Sequence, residues 1–141
     1  MTRREDIVMH ARYLLGVPFR HQGYNQFGTD CAGLIRWTYA KLGLGEPVID
    51  AYERSPNGVT LMEIMRRYGT EIAIDQAAFG DVLVFEFAAD LPQHLAIITD
   101  YPGGVGMLHS YSTIGKVCEH NLDQKWQNRI CAAFRFPGVE A

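Results

Sequence analysis

The sequence predicts an α+β fold, with N-terminal helices packed on a mostly antiparallel β-sheet. Two observations carry that prediction. Up to Tyr68 the apolar residues recur at helical spacing, and beyond it they fall into short β-branched and aromatic runs separated by turn residues. Helices first and strands afterwards is the order of an α+β domain. The 141 residues fit one compact domain, spanning 1–141, with a core of its own.

Each element has its own signal. Thr2 and Glu5 have capping-box spacing, and Ile7, Ala11, Leu14 and Leu15 follow on one helical face until Gly16 offers a stop. Val17 to Asp30 is a loop with Pro18, Gly23 and Gly28. A second helix is predicted from Cys31 to Leu42, with Thr29 or Asp30 as N-cap and Gly43 as terminator. Thr60 and Glu63 form another capping-box pair, opening a shorter helix that Gly69 closes. Strands are predicted at Val82–Phe87, His94–Thr99, Val105–Tyr111, Lys116–His120 and Arg129–Phe136, with a turn or short helix near Trp126.

Bulk properties narrow the function. A net charge of −3 gives no electrostatic footprint for nucleic acid, and no apolar run is long enough to span a bilayer. The N-terminus is not followed by a signal-peptide core, so synthesis in the cytoplasm without an export signal is expected. Three cysteines, Cys31, Cys118 and Cys131, do not make a disulfide scaffold. Cys118 and Cys131 either meet on neighbouring strands or stay reduced as packing residues.

Cys31 is the position that carries chemistry. A glycine-containing loop delivers it to the first turn of a helix, where unpaired N–H groups and the helix dipole favour a thiolate. On the following hairpin, a Tyr101-Pro102-Gly103-Gly104 turn that pairs Tyr101 with Gly104 sets His94 opposite Tyr111 and His109 opposite Ala96. Both histidines then share one face as diagonal neighbours. With the Cys31 helix packed against that face, the result is a thiol, a base (His94) and an orienting group (His109). The backbone N–H of Cys31 is a candidate oxyanion donor. Each residue also has a plainer reading: Cys31 as core, the histidines as satisfied polar residues of a sheet. Cys118 and His120, with His109 or His94, could supply zinc ligands, but the spacing is no standard finger pattern and no metal or cofactor is expected. His10 and His21 read as surface or loop residues, and Trp37 and Trp126 as packing or groove aromatics.

These residues resemble the NlpC/P60 cysteine peptidases. Leu15-Gly16-Val17-Pro18-Phe19-Arg20-His21-Gln22-Gly23 and Gly28-Thr29-Asp30-Cys31-Ala32-Gly33-Leu34 are similar to that family's Pro-Tyr-x-x-Gly-Gly loop and Asp-Cys-Ser-Gly-Leu helix start. Phe79-Gly80-Asp81-Val82-Leu83-Val84-Phe85 resembles its Gly-Asp-Leu-Val-Phe strand. His94-Leu95-Ala96-Ile97-Ile98 and Met107-Leu108-His109-Ser110 resemble the strands carrying its base and orienting residue.

The resemblance implies a papain-like fold and hydrolysis of bacterial peptidoglycan stem peptides, typically at the bond from D-glutamate, through its γ-carboxyl, to diaminopimelate or lysine. It assigns Cys31, His94 and His109 as the catalytic residues and Asp30 as a possible contact for a substrate amine, with helix capping the alternative. Arg20-His21-Gln22 and the absence of an export signal look most like the phage-tail and gene-transfer-agent members. That kinship implies a virion tail tip as location, tail-tip proteins as partners and a role in DNA delivery. Three positions depart from the pattern. Phe19 replaces a Tyr whose hydroxyl assists the site, leaving Tyr24 or a backbone donor to substitute. Ala32 replaces the Ser after the nucleophile, and Gln22 replaces the first Gly. The rival reading is a structural tail component that keeps the fold without turnover. The segment from Glu46 to Val59, with Tyr52, Arg54 and Asn57, either borders a substrate groove or is an ordinary surface excursion.

Overall fold

A computed structural model describes residues 1–45, 58–88 and 91–140. Tyr52, Arg54 and Asn57 lie outside the described residues. The elements run α1 (Arg4–Arg12), β1 (Tyr24–Asn25), β2 (Gly28–Thr29), α2 (Cys31–Lys41), α3 (Gly58–Tyr68), β3 (Thr70–Ile72), β4 (Val82–Ala88), β5 (Leu91–Thr99), β6 (Gly106–Tyr111), β7 (Lys116–Asn121), α4 (Gln124–Gln127) and β8 (Ile130–Arg135). Six strands form one antiparallel sheet in the order β3-β8-β4-β5-β6-β7. The fold is therefore the α+β arrangement that the helix-then-strand pattern predicts.

Side chains alternate faces along each strand, so the sheet has two packed sides. On one side Val82, Val84, Leu95, Ile97, Leu108 and Phe134 meet Ile7, Ala11, Leu34, Ile35, Leu61 and Met65 of the three long helices. On the other, Leu83, Phe85, Ala96, Ile98 and Met107 form a smaller cluster covered by Trp126, Leu122 and Ile130. No helix among the described residues is long and apolar enough to cross a membrane.

Several local signals are used differently from the way they read in sequence. Thr2 does not cap α1. Its N–H and hydroxyl bond Gly138 O and Pro137 O, which ties the N-terminus to the C-terminal segment, and the cap falls on Arg3 without a side-chain bond. The helix then ends at Arg12, so Leu14 is buried while Leu15 is 43% exposed. Thr60 lies inside α3, which starts earlier at Gly58. Cys118 and Cys131 sit on β7 and β8 with β4, β5 and β6 between them, so they cannot pair, and both thiols are free.

One charged knot fixes the start of β4. Gly80 (φ +87°) turns the chain so that the fully buried Asp81 takes two hydrogen bonds from Arg135, at 3.1 and 2.9 Å, and an ion pair from Arg4 at 3.2 Å. The knot links α1, β4 and β8 at the end of the sheet remote from the β4–β5 register shifts.

Candidate active site

Cys31 is placed by a short, tightly packed loop. Gly23 and Gly33 lie so close that a Cβ on Gly33 would stand 1.7 Å from Gly23 O, and only hydrogen fits there. Asp30 locks this contact from both sides. One carboxylate oxygen accepts from Gly33 N–H and the other from Gln22 N–H, each at 2.8 Å. Gln22, where the family has Gly, adopts φ +63°, and the Asp30 bond helps hold that left-handed turn. Asp30 is 4% exposed and spends its oxygens on the backbone, so the structure shows its capping role. Ser110 of β6 bonds Thr29 O at 2.6 Å, which fixes the start of α2 to the histidine-bearing hairpin.

The histidines come from that hairpin. Ile97 pairs with Leu108, Ile98 with Met107 and Thr99 with Gly106, the register the Tyr101–Gly104 turn predicts. His94 and His109 consequently share a face, with Nε2 of His94 2.6 Å from Nδ1 of His109. The chain of rings continues: Nε2 of His109 lies 2.8 Å from Nε2 of His120, whose Nδ1 lies 2.9 Å from Asn121 O.

That last contact sets the protons. A carbonyl only accepts, so His120 Nδ1 carries a hydrogen and neutral His120 must accept at Nε2. His109 then donates from Nε2 and accepts at Nδ1, and His94 donates from Nε2. His94 is left with its lone pair on Nδ1. One backbone carbonyl thus orders three imidazoles and leaves the His94 Nδ1 lone pair at the other end of the chain.

The two halves meet at Leu95, in the middle of β5, not across a shared face. α2 packs on Leu95, Ile97 and Leu108, whereas His94 and His109 belong to the alternate side, under Trp126. The expectation that α2 packs on the histidine face is therefore corrected. Instead the Cys31 sulfur lies against the backbone N–H of Leu95, the residue that follows His94. Trp126 stands edge-on to His109 at 5.2 Å and to Phe85 at 5.2 Å, and tilted over His94 at 5.7 Å, walling off the rings.

Burial dominates the electrostatics. It pushes the Cys31 thiol up to about 12, and the Asp30 charge adds to the rise; the N–H groups of Leu95, Ala32 and Cys31 oppose it more weakly. A resting thiolate, the sequence-based expectation, is therefore corrected to a neutral thiol. Burial also holds His94 well below its usual range, with His109 contributing, and takes His109 down to about 3, with His120 contributing. The resting pair is a thiol and a neutral imidazole, so attack by this sulfur would require its proton to be removed in the same step.

Tyr24 does not reach this place. Its ring lies 3.8 Å from the Arg36 guanidinium and shares a surface hollow with Trp37, Ala40 and Lys41, toward the far half of α2. It cannot supply the hydroxyl that Phe19 lacks. Two roles have no signal in the sequence. Trp126 is the packing aromatic expected there, but the bond from Ser110 to Thr29 O is not announced by its segment. His120 was noticed only as a metal ligand, although its two-residue spacing from Cys118 on one strand signals a shared face.

Residues 16–135 match the model of the NlpC/P60 family. The chain belongs to the NlpC/P60 family. A Bacillus subtilis (strain 168) gamma-D-glutamyl-L-lysine dipeptidyl-peptidase is 27% identical over 135 residues, covering 93% of this chain and 40% of that protein. This NlpC/P60 domain thus spans well under half of that curated relative. In fold it is similar to the NlpC/p60 domain of peptidoglycan hydrolase SagA (TM-score 0.70, 22% identity, 95% of this chain and 99% of that one). It is also similar to the peptidoglycan hydrolase RipB of Mycobacterium tuberculosis (TM-score 0.65, 20% identity, 98% and 65%).

Proposed function

We propose that this chain is a cysteine peptidase that hydrolyses peptidoglycan stem peptides, at a bond of the D-γ-glutamyl-diaminopimelate or D-γ-glutamyl-lysine type. The observation that carries the reading is the imidazole chain that ends in His94, with the lone pair on its Nδ1, beside the strand residue that touches the Cys31 sulfur. The peptidase named for the Bacillus subtilis relative supports the bond type.

The proposed mechanism divides the proton work between the two histidines. His94 Nδ1 takes the Cys31 proton as the sulfur attacks the peptide carbonyl. The tetrahedral oxygen meets the Cys31 backbone N–H at the helix start. His94 returns the proton to the leaving amine, and water, activated by the same nitrogen, clears the thioester. His109 carries no proton across. It holds His94 in the right tautomer and stabilises the imidazolium as it forms.

The test is digestion of purified sacculi, with mass spectrometry of the products. Wild-type protein should release fragments ending at the γ-glutamyl carboxyl, and Cys31→Ala should release none while keeping its thermal transition. Lysis by a folded Cys31→Ala would end the reading.

The finer placement is a virion tail tip, with the chain made in the host cytoplasm, docked to tail-tip proteins and opening the wall for DNA delivery. The Arg20-His21-Gln22 segment supports it, and immunogold labelling of purified virions tests it. A second reading, a structural tail component without turnover, is favoured by Phe19 and by the high resting thiol pKa. Sacculi left intact by the folded wild-type protein would select it.

A further inference from the structure

The imidazole chain has a second use. His109, Cys118 and His120 each bring one donor atom to a common point, with all three atoms within 4.8 Å of one another. The sheet builds this cluster: Cys118 is the cross-strand partner of His109, and His120 is two residues along the same face. Two imidazoles and a thiol form a donor set suited to zinc-class ions. Tetrahedral zinc holds such ligands about 3.3 to 3.7 Å apart, so the 2.8 Å between His109 and His120 has to open by about half an ångström, and a separation as long as 4.8 Å has to close by about one.

The surrounding bonds already have the form of a metal site. Imidazoles that bind a metal through one nitrogen usually donate from the other, often to a backbone carbonyl. His120 does so: Nδ1 faces Asn121 O and leaves Nε2 toward the cluster. His109 likewise turns Nε2 inward and has Nδ1 against His94. Cys118 and His120 are only partly buried, which leaves an approach from solvent.

We propose that His109, Cys118 and His120 bind a zinc ion that switches off the His94 base by reversing its tautomer. The switch rests on the reading of His94 as the base. In the metal-free chain, His109 carries hydrogen on Nε2 and accepts from His94. Zinc needs the Nε2 lone pair, so that hydrogen must leave. His109 takes the hydrogen of His94 Nε2 onto its Nδ1 and becomes the donor in that bond. His94 recovers a hydrogen from water on its Nδ1, the lone pair that served the thiol. The two histidines end with the same number of protons. Cys118 gives its thiol proton to solvent, so one proton is released per zinc bound. A water completes the fourth position.

The test separates the metal site from the peptidase. Cys31→Ala protein, which lacks the nucleophile, is titrated with Co²⁺ while thiolate-to-cobalt absorption is followed, and then with competing Zn²⁺. One cobalt per chain with a thiolate band is expected, and the band should vanish in Cys31→Ala/Cys118→Ser. Nitrogen-15 NMR of the same protein should show the His94 hydrogen on Nε2 without metal and on Nδ1 with zinc. Cys118→Ser alone should digest sacculi like wild type and need at least about tenfold more zinc for half inhibition. Absence of the cobalt band, or a His94 tautomer unchanged by bound zinc, overturns the proposal. So does a Cys118→Ser as zinc-sensitive as wild type, because zinc would then act at Cys31 itself. The band and tautomer change in a protein that never digests sacculi would sink the peptidase and leave the metal site standing.

Discussion

The two halves of the site are built on different physics. Cys31 is placed by local chain: a cap, two glycines in contact and a loop within ten residues of it. The histidines are placed by long-range pairing, since His94, His109 and His120 come from three strands whose register alone brings the rings into line. Local placement makes the thiol's position stiff but leaves it buried and neutral, with a pKa near 12. Sheet placement makes the rings a relay that one distant carbonyl can orient. In the proposed mechanism the reactivity resides in the relay, and the thiol is activated only when the relay accepts its proton.

The strongest test of that contrast is the relay's near end. His94→Ala should lower turnover on sacculi by roughly 10²- to 10⁴-fold, the usual worth of a proton-transfer group. His109→Ala should cost less, about 10- to 100-fold, because it orients and does not transfer. Adding His94→Ala to Cys31→Ala should cost nothing further, since the residues act as a unit. Equal losses from His94→Ala and His109→Ala would mean that the orienting role is misassigned. Iodoacetamide is a poor probe of this site: a buried neutral thiol alkylates slowly at pH 7 whether or not the protein turns over.

What was legible in the sequence follows the same division. Cys31, the Asp30 cap and Gly33 could be read because their signals are local. The hairpin register was legible because a four-residue turn determines it. The short strand β3 and the hydrogen bond between His109 and His120 were not, because nothing near them in sequence announces the strand beside them. The face on which α2 packs was misjudged for a related reason. Leu95 and His94 are neighbours with opposite orientations, and only the packed core shows which one the helix covers. Thr2 and Thr60 show that capping-box spacing is overridden when tertiary hydrogen bonds or an earlier helix start compete.

The local half can be broken by volume alone. Gly33→Ala would push a methyl into Gly23 O, 1.7 Å from its ideal position, with the Gly23 carbonyl carbon at 2.8 Å and the buried Thr29 hydroxyl at 2.6 Å and no long flexible side chain to yield. A loss of at least about 3 kcal/mol in denaturant-derived stability is expected. A loss under about 1 kcal/mol would show that the loop relaxes easily and that Cys31 is less firmly held than we argue.

The joint between the halves is weaker and separately testable. Ser110→Ala leaves Thr29 O without its 2.6 Å donor. A cost of about 1 kcal/mol is expected, because Thr29 O keeps its 3.1 Å bond from Arg20 N–H and only one hydrogen bond is lost. If the bond serves mainly to register the thiol with the relay, turnover should fall while KM changes little. A variant that loses stability but keeps full turnover would make Ser110 a fold residue only.

Acid separates the halves most gently. An unfolded chain protonates both His94 and His109 near pH 6.5. The folded chain keeps them neutral far below that, His109 down to about 3. Between those limits the unfolded state binds more protons, so stability falls as pH falls, by on the order of 1 kcal/mol per pH unit for each histidine, and is constant in this respect above about pH 7. A Tm that is level above neutrality and declines below pH 6.5 is expected, with a shallower decline in His109→Gln. Over the same window the His94 ring stays neutral. As long as His120 accepts from His109, acid loss of turnover should follow unfolding and not precede it. If turnover instead fell with a midpoint near pH 6.5 while the near-ultraviolet signal of the packed aromatics stayed intact, either water reaches the rings beneath Trp126 or the order set by His120 has reversed, and the dry, fixed relay on which the comparison rests would be wrong.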